Sequence, residues 1–290
     1  MKCIKNLSFT IISCVSILVC ANSHAASVWK VSSATHSLYI GGTIHILTPE
    51  DYPLPKEYAV AFGQSAKIVF ETDIQTINSS EFQQQIMARM MYSDGTTLDK
   101  VINTKTYAAL KQYLQQRDIP IATVAKMKPS LLALTLSMIE LQGMGFTSIG
   151  VDQFYANLAT EKDKIQAWLE TPEQQLEFLV NMGEGDKSGL IEYTLRDIKN
   201  MPESIGALRT YWRSGDIDGL AKIGIIPFKA DYPKIYQELL VTRNNNWLPQ
   251  IEAMLKDQTV EFVLVGSLHL AGPDSVLNAL ADKGYAIEKL

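Results

Sequence analysis

The chain has 290 residues, of which 47% are hydrophobic and 20% are charged, so it is long enough to bury a sizeable core. This composition excludes a disordered chain, a collagen-like chain and a coiled coil. The net charge of −5 argues against a general nucleic-acid binder, because such a protein needs a basic surface.

The beginning of the chain has the layout of a secretory signal peptide. Lys2 and Lys5 give a positive start, an apolar run over residues 7–20 follows, and small residues precede a cleavage position after Ala25. We therefore expect residues 1–25 to be removed and the mature protein to be exported, either to the periplasm or as a secreted protein.

Two other interpretations of this segment are weaker. The apolar run is shorter than the roughly 20 residues that a membrane-spanning helix needs, which disfavours an anchor. A lipid on Cys20 is the second alternative, but Val19 is bulkier than the small residue that normally precedes a lipidated cysteine. Contact with a membrane is therefore expected only through the leader or such a lipid anchor.

Removal of the leader restricts the chemistry that is left. All three cysteines lie within it, and the mature chain keeps only His36, His45 and His269 of the four histidines. The remaining 24 basic and 31 acidic residues give a net charge of −7. Because no thiol remains, any metal ion must be held by imidazole and carboxylate groups.

Hydrophobic periodicity predicts strands near both ends and in the middle of the mature chain, with helices between them. The predicted strands are 28–31, 38–40, 67–70, 164–169, 260–265 and 285–288. The predicted helices are 56–64, most of 80–141, 152–160, most of 171–256, and 273–282. No low-complexity linker interrupts the pattern, so we predict one α/β domain over residues 26–290. Its mixed central sheet is flanked by helices and carries a helical middle insertion.

Two distant segments share the pattern G-[ST]-[IL]-H-[IL]-x-x-P, namely residues 42–49 and 266–273. Each follows an apolar strand, and each proline is expected to begin a helix. Glycine lets the chain turn at the carboxyl end of a strand, where ligands of open α/β sheets bind. We therefore predict that His45 and His269 meet at one rim of the sheet; the alternative is a duplicated turn whose histidines are only structural.

Glu71 is a third candidate, because it ends the apolar strand 67–70. Two imidazoles and one carboxylate form a donor set that suits a catalytic divalent metal with positions left open for water. Thr43 and Ser267 are expected to cap the turns or to bond the imidazoles. Asp73 is expected to be a solvated loop acid, and Asp152 the N-cap of the helix after Gly150.

These residues resemble the motifs of the TraB/PrgY/GumN family, which includes the animal TIKI proteins. The likeness covers essentially the whole mature chain. It rests on GTIH at 42–45, IVFET at 68–72, IGVD at 149–152, LET at 169–171, Arg243-Asn244 with Trp247, and VGSLHLAGPDSVLNAL near the end. The resemblance implies a fold similar to that of erythromycin esterases and the haem-binding protein ChaN.

The resemblance also implies a metal-dependent hydrolase site in which His45 and His269 are the motif histidines and Glu71 is the acidic residue. Glu71 is either a metal ligand or the general base, and the sequence leaves both open. Arg243 takes the basic position, where it would hold a substrate carboxylate or stabilise an oxyanion. Asn244 is expected to position the site.

In the TIKI branch the implied activity is proteolytic, with manganese or cobalt favoured. We therefore expect an exported hydrolase, of the peptidase kind, that acts on a peptide or protein substrate with Mn²⁺, Co²⁺ or Zn²⁺. The alternative is a binding protein without catalysis that holds metal, haem or a peptide on the same rim. The sequence contains no G-x-S-x-G, H-E-x-x-H, P-loop or G-x-G-x-x-G motif that would point to another chemistry.

Overall fold

The computed structural model describes residues 26–290, so the predicted signal peptide and Cys20 lie outside the described residues. The strands of this part of the chain are β1 (Val28–Ser32), β2 (Ser37–Thr43), β3 (Ile46–Leu47), β4 (Lys67–Phe70), β5 (Ser148–Ile149), β6 (Ile165–Trp168), β7 (Glu261–Gly266) and β8 (Ala286–Lys289). Six of them form one mixed sheet in the order β6-β4-β7-β2-β1-β8, while β3 pairs with β5 in a separate ribbon. The predicted α/β fold with a mixed central sheet is confirmed.

Helices fill the sequence between the strands and form the predicted helical middle section. They are α1 (Lys56–Gln64), α2 (Ile74–Ile77), α3 (Ser80–Met90), α4 (Leu98–Val101), α5 (Thr104–Gln115), α6 (Ile121–Val124), α7 (Pro129–Gly143), α8 (Val151–Glu161), α9 (Pro172–Asn181), α10 (Lys187–Ser214), α11 (Ile217–Leu220), α12 (Ile226–Asp231), α13 (Pro233–Tyr236), α14 (Thr242–Met254) and α15 (Val276–Asp282). Two 3₁₀ turns (Pro49–Asp51 and Ser267–Leu270) and two π-helical segments (Ala221–Ile225 and Gln237–Val241) complete them. Within residues 26–290, no helix is both long and apolar enough to cross a membrane.

The central strand β7 is buried on both faces, as parallel strands in α/β proteins usually are. Phe262 and Leu264 pack into a cluster that includes residues of α1 and α8. Val263 and Val265 point the other way, into a cluster with residues of α14 and α15. The two-residue period of the strand therefore divides the core into one layer on each side of the sheet.

Parallel pairing of β2 with β7 places the two repeated motifs side by side. Thr43 lies opposite Gly266 in the register of these strands. Ser267 Oγ donates a hydrogen bond to the carbonyl oxygen of Thr43 at 2.8 Å, which joins the first motif directly to the second. Thr43 and Ser267 were expected either to cap the turns or to bond the imidazoles. The hydroxyl of Ser267 does not bond an imidazole and instead holds the two loops together.

A buried aromatic pair fixes the first motif. Trp212 Nε1 donates to the carbonyl oxygen of Gly42 at 2.8 Å, and the hydroxyl of Tyr58 donates to the same oxygen. Both aromatic side chains are fully buried. Ser27 Oγ in turn donates to the carbonyl oxygen of Trp212 at 2.7 Å. The loop that carries the first histidine is thereby tied to α1 and to the end of α10.

The prolines of the two motifs behave differently in the structure. Pro49 does begin a short 3₁₀ turn, but Pro273 lies in a turn, and α15 begins only at Val276. The reason is that Ser275 caps this helix by accepting a hydrogen bond from the backbone N–H of Asn278 at 3.2 Å.

Two predicted roles of acidic residues are also corrected. The helix α8 begins at Val151 with Gly150 as its N-cap, so Asp152 lies within the first turn. Its start is set by the backbone N–H of Val151, which donates to the carbonyl oxygen of Ile44 at 3.1 Å. Asp73 is not a free loop acid: its carboxylate caps α2 by accepting two backbone N–H groups.

We predict that Trp212→Phe lowers the free energy of unfolding by about 1–3 kcal/mol, because the buried carbonyl of Gly42 loses an indole donor. Trp168→Phe is the matched control, since that side chain is 45% exposed, and it should change stability by no more than about 0.5 kcal/mol. Urea unfolding measures both variants. Equal losses would contradict the assigned role of Trp212.

Candidate functional site

The three predicted donors converge on Gly266 at the carboxyl edge of the sheet. A Cβ atom built on Gly266 would lie 3.3 Å from Glu71 Oε1, 3.5 Å from His269 Cδ2 and 4.0 Å from His45 Nε2. Only glycine leaves this space free, because any side chain would fill the volume between the donors. The structure thus brings together His45, His269 and Glu71, which come from three separate parts of the sequence.

His269 is buried on the 3₁₀ turn after β7 and is oriented by an amide. Its Nδ1 lies 2.6 Å from Asn244 Oδ1. Because an amide oxygen accepts, this contact assigns the proton to Nδ1 and leaves a lone pair on Nε2. Burial, with a further contribution from the Arg243 guanidinium, lowers the pKa of His269 to about 3. The ring is therefore neutral at ordinary pH.

His45 lies at the rim, where its side chain is 66% exposed. Its Nδ1 forms an ion pair with Asp152 Oδ1 at 3.2 Å, and this oxygen has no hydrogen-bond partner among residues 26–290. The Asp152 carboxylate, helped by that of Glu71, raises the pKa of His45 to about 9. The carboxylate thus faces one ring nitrogen, while the other is on the side of Gly266.

Glu71 is held as a buried carboxylate directly after β4. Its Oε1 accepts the backbone N–H of Gly266 at 2.6 Å, and its Oε2 accepts Nη2 of Arg243 at 2.7 Å. Burial opposes the ionisation of Glu71, but the Arg243 guanidinium and the two imidazoles outweigh it and lower its pKa to about 2. Glu71 is therefore charged throughout the neutral pH range.

Arg243 is only 8% exposed and is surrounded by acceptors from the protein itself. Its Nε donates to both carboxylate oxygens of Glu170, at 3.0 and 3.2 Å, and its Nη2 donates to the same carboxylate. Its Nη1 lies 3.3 Å from His269 Nε2, and the ring of Trp247 lies 4.7 Å from the guanidinium carbon. In this state the bidentate partner of Arg243 is Glu170; a contact with a substrate carboxylate stays a prediction.

Sequence reasoning assigned no site role to Asp152 or Glu170. A signal for Glu170 was present, because it follows β6 at the edge of the sheet where Glu71 follows β4. No comparable signal marks Asp152, since its place beside His45 depends on the packing of α8 against the first motif. The expectation that Asn244 positions the site agrees with its contact to His269.

The donor chemistry of this site fits a divalent metal. Both Nδ1 atoms face side-chain oxygens, an arrangement that usually orients metal-binding histidines. Three carboxylates (Glu71, Asp152 and Glu170) and the guanidinium of Arg243 sum to a charge of −2, which a proton on His45 reduces to −1. A divalent cation that displaced this proton would balance the remaining charge of −2. As the side chains stand, residues 26–290 contain no group of three or more His, Cys, Asp or Glu arranged to hold an ion. Glu71 and His269 instead contact Arg243.

A cleft of about 570 Å³ opens beside these residues, between the sheet edge and the helical section. His45, Glu71, Asp152 and Arg243 line it in part. Much of the remaining wall is apolar and includes Ile46, Phe70, Ile74, Ile77, Met138 and Phe178. Thr43 and Thr72 also line it, and their buried hydroxyl oxygens have no hydrogen-bond partner within the described chain.

Fold and site together define an α/β protein with two histidine loops, an acidic strand end and a buried arginine at one edge of its sheet. The chain matches the TraB/PrgY/gumN family over residues 27–289 and belongs to that family. No curated protein and no solved structure matches the chain. The expected likeness to erythromycin esterases and ChaN therefore stays a prediction.

We predict that Asp152→Asn moves the pKa of His45 from about 9 toward its ordinary value of 6.5, because the raising carboxylate is lost. A proton NMR titration of the imidazole measures the shift, and Asp73→Asn, which alters only a helix cap, is the control. The folded-state pKa lies above the unfolded value. The ion pair therefore stabilises the fold fully below about pH 6.5, and this contribution is lost as the pH rises through about 9. An unchanged pKa in Asp152→Asn would contradict the assignment.

Proposed function

We propose that this protein is a metal-assisted hydrolase of the peptidase kind, in which His45, His269 and Glu71 hold one divalent cation. The observation that carries the proposal is the convergence of these three donors on Gly266. The oxygens of Asp152 and Asn244 behind the two imidazoles support it, because they leave both Nε2 atoms on the side of the glycine. Mn²⁺, Co²⁺ and Zn²⁺ are the candidate ions.

A cation bound there would supply Lewis acidity and lower the pKa of a coordinated water to about 7. The pKa of about 2 for Glu71 makes its carboxylate a weak proton acceptor at neutral pH, which favours the role of ligand over that of general base. Arg243 keeps Glu71 ionised and supplies positive charge next to the cleft, where negative charge develops on a substrate carbonyl.

The shape of the cleft supports a peptide or protein substrate. Its lining combines the polar side chains of His45 and Asp152 with apolar ones that include Met138 of α7 and Phe178 of α9. A peptide presents a carbonyl and apolar side chains in close succession, so it can use both parts of such a cleft. Export through the leader, to the periplasm or the medium, is part of the proposal.

We predict that the mature protein, residues 26–290, binds Mn²⁺, Co²⁺ or Zn²⁺, and that His45→Ala and His269→Ala each abolish binding because each removes a ligand. Equilibrium dialysis followed by elemental analysis measures the bound metal. His36→Ala is the matched control, since His36 lies in the turn between β1 and β2 and contacts Thr35. Equal metal content in all four proteins would contradict the metal site.

We predict that the metal-loaded mature protein cleaves members of a peptide library, and that a chelator or Glu71→Gln stops the cleavage. Mass spectrometry of the library detects the products. A haem complex visible by absorbance, with no cleavage at any metal concentration, would instead support the alternative of a non-catalytic binding protein.

A further inference from the structure

We infer that Glu170 is a positioning residue: it retains Arg243 when Glu71 and His269 exchange the guanidinium for a divalent cation. This inference rests on the proposed function, because it concerns how the proposed cation gains access to its ligands. It gives a role to the carboxylate of Glu170, for which the sequence motifs predict none.

Arg243 contacts the atoms that the proposed cation needs. Its Nη2 lies 2.7 Å from Glu71 Oε2, and its Nη1 lies 3.3 Å from His269 Nε2. A guanidinium in this position competes with a cation for the same lone pairs and also repels it. A cation therefore binds only if these two contacts are given up.

Glu170 holds the guanidinium from the other side. Its carboxylate accepts from Nε and from Nη2 of Arg243, and Trp247 Nε1 lies 3.4 Å from its second oxygen. Glu170 is itself only 7% exposed. Nη2 is thus shared between two carboxylates, so the guanidinium still has an ion-pair partner after it releases Glu71.

The energetic reason is the high free energy of a buried charge without a partner. If Glu71 were the only partner of Arg243, a cation that took Glu71 would leave the guanidinium buried and unpaired. With Glu170 present, Arg243 and Glu170 remain a paired, neutral unit, and Glu71 is available. We therefore expect Glu170 to set the cation affinity of the site without touching the ion.

The backbone keeps the two carboxylates in a fixed relation. The N–H of Glu170 donates to the carbonyl oxygen of Glu71 at 2.9 Å, which extends the pairing of β4 with β6 by one step. Gln250 Nε2 donates to the carbonyl oxygen of Leu169 at 2.8 Å and ties this segment to α14, the helix that carries Arg243. The segment that carries Glu170 is therefore fixed both to Glu71 and to the helix of Arg243.

The test is a double-mutant cycle on Mn²⁺ affinity, measured by titration calorimetry on the mature protein. Glu170→Gln should weaken Mn²⁺ binding by about 10- to 100-fold, the range usual for residues behind metal ligands. Arg243→Gln should bind Mn²⁺ at least as tightly as the wild type, because the competing cation is gone. In the Glu170→Gln, Arg243→Gln double variant, the loss caused by Glu170→Gln should disappear.

Glu140→Gln is the matched control, because Glu140 pairs with Arg117 in the helical section and should leave Mn²⁺ binding unchanged. Glu170→Asp, which keeps the charge, should restore part of the affinity. If Glu170→Gln does not fold, Glu170→Asp carries the same test, because its shorter side chain keeps the charge but weakens the contact with Arg243. It should bind Mn²⁺ more weakly than the wild type only when Arg243 is present.

Wild-type affinity in Glu170→Gln would overturn the inference, as would an equal loss in the presence and absence of Arg243. Absence of Mn²⁺ binding in the wild type would overturn both this inference and the proposed metal site. If only the inference on Glu170 is wrong, His45→Ala and His269→Ala still lose Mn²⁺ binding. The two failures are therefore distinguishable.

Discussion

The parallel pairing of β2 with β7 is the constraint on which the rest of the site depends. It places Thr43 opposite Gly266 and so delivers two histidine loops to one edge of the sheet, although Thr43 and Ser267 are 224 positions apart in the sequence. Glycine leaves space at two points of this strand pair. A Cβ on Gly41 would lie 2.8 Å from Cε2 of the Phe262 side chain, and one on Gly266 would fill the space between the donors.

The second organising feature is a buried set of charges that surrounds one guanidinium. Arg243 lies between the carboxylates of Glu71 and Glu170 and beside a neutral imidazole, with the ring of Trp247 against it. In such surroundings each group affects the ionisation of its neighbours. Glu71 stays charged. Burial raises the pKa of Glu170, although the guanidinium of Arg243 opposes that rise. Charge balance among these groups, rather than any single residue, is the physical basis on which we propose a divalent cation at this edge of the sheet.

Much of this architecture could be predicted from the sequence, because short-range patterns carry it. Periodicity and capping signals placed α1 over 56–64 and β4 over 67–70 as the structure has them, and the repeated motif predicted that His45 and His269 would meet. One prediction failed at a local signal: Pro273 does not begin a helix, because Ser275 caps α15 later in the chain. Others failed where tertiary packing decides. Asp152 was missed as a site residue because its place beside His45 follows from how α8 packs against the first motif, which no local pattern records. The position of Glu170 after β6 is visible in the sequence, but its contact with Arg243 of α14 is not.

The pairing of β1 with β8, and of β2 with β7, has a consequence for biosynthesis. β1 and β8 lie side by side, and β2 and β7 adjoin them toward the centre of the sheet. A growing polypeptide that has not yet produced β7 lacks Gly266 and His269 and has no partner strand for the first motif. The rim therefore forms only after β7 and the second motif have been synthesised, and long-range contacts of this kind slow folding. A ligand that requires both loops cannot bind to a shorter nascent chain.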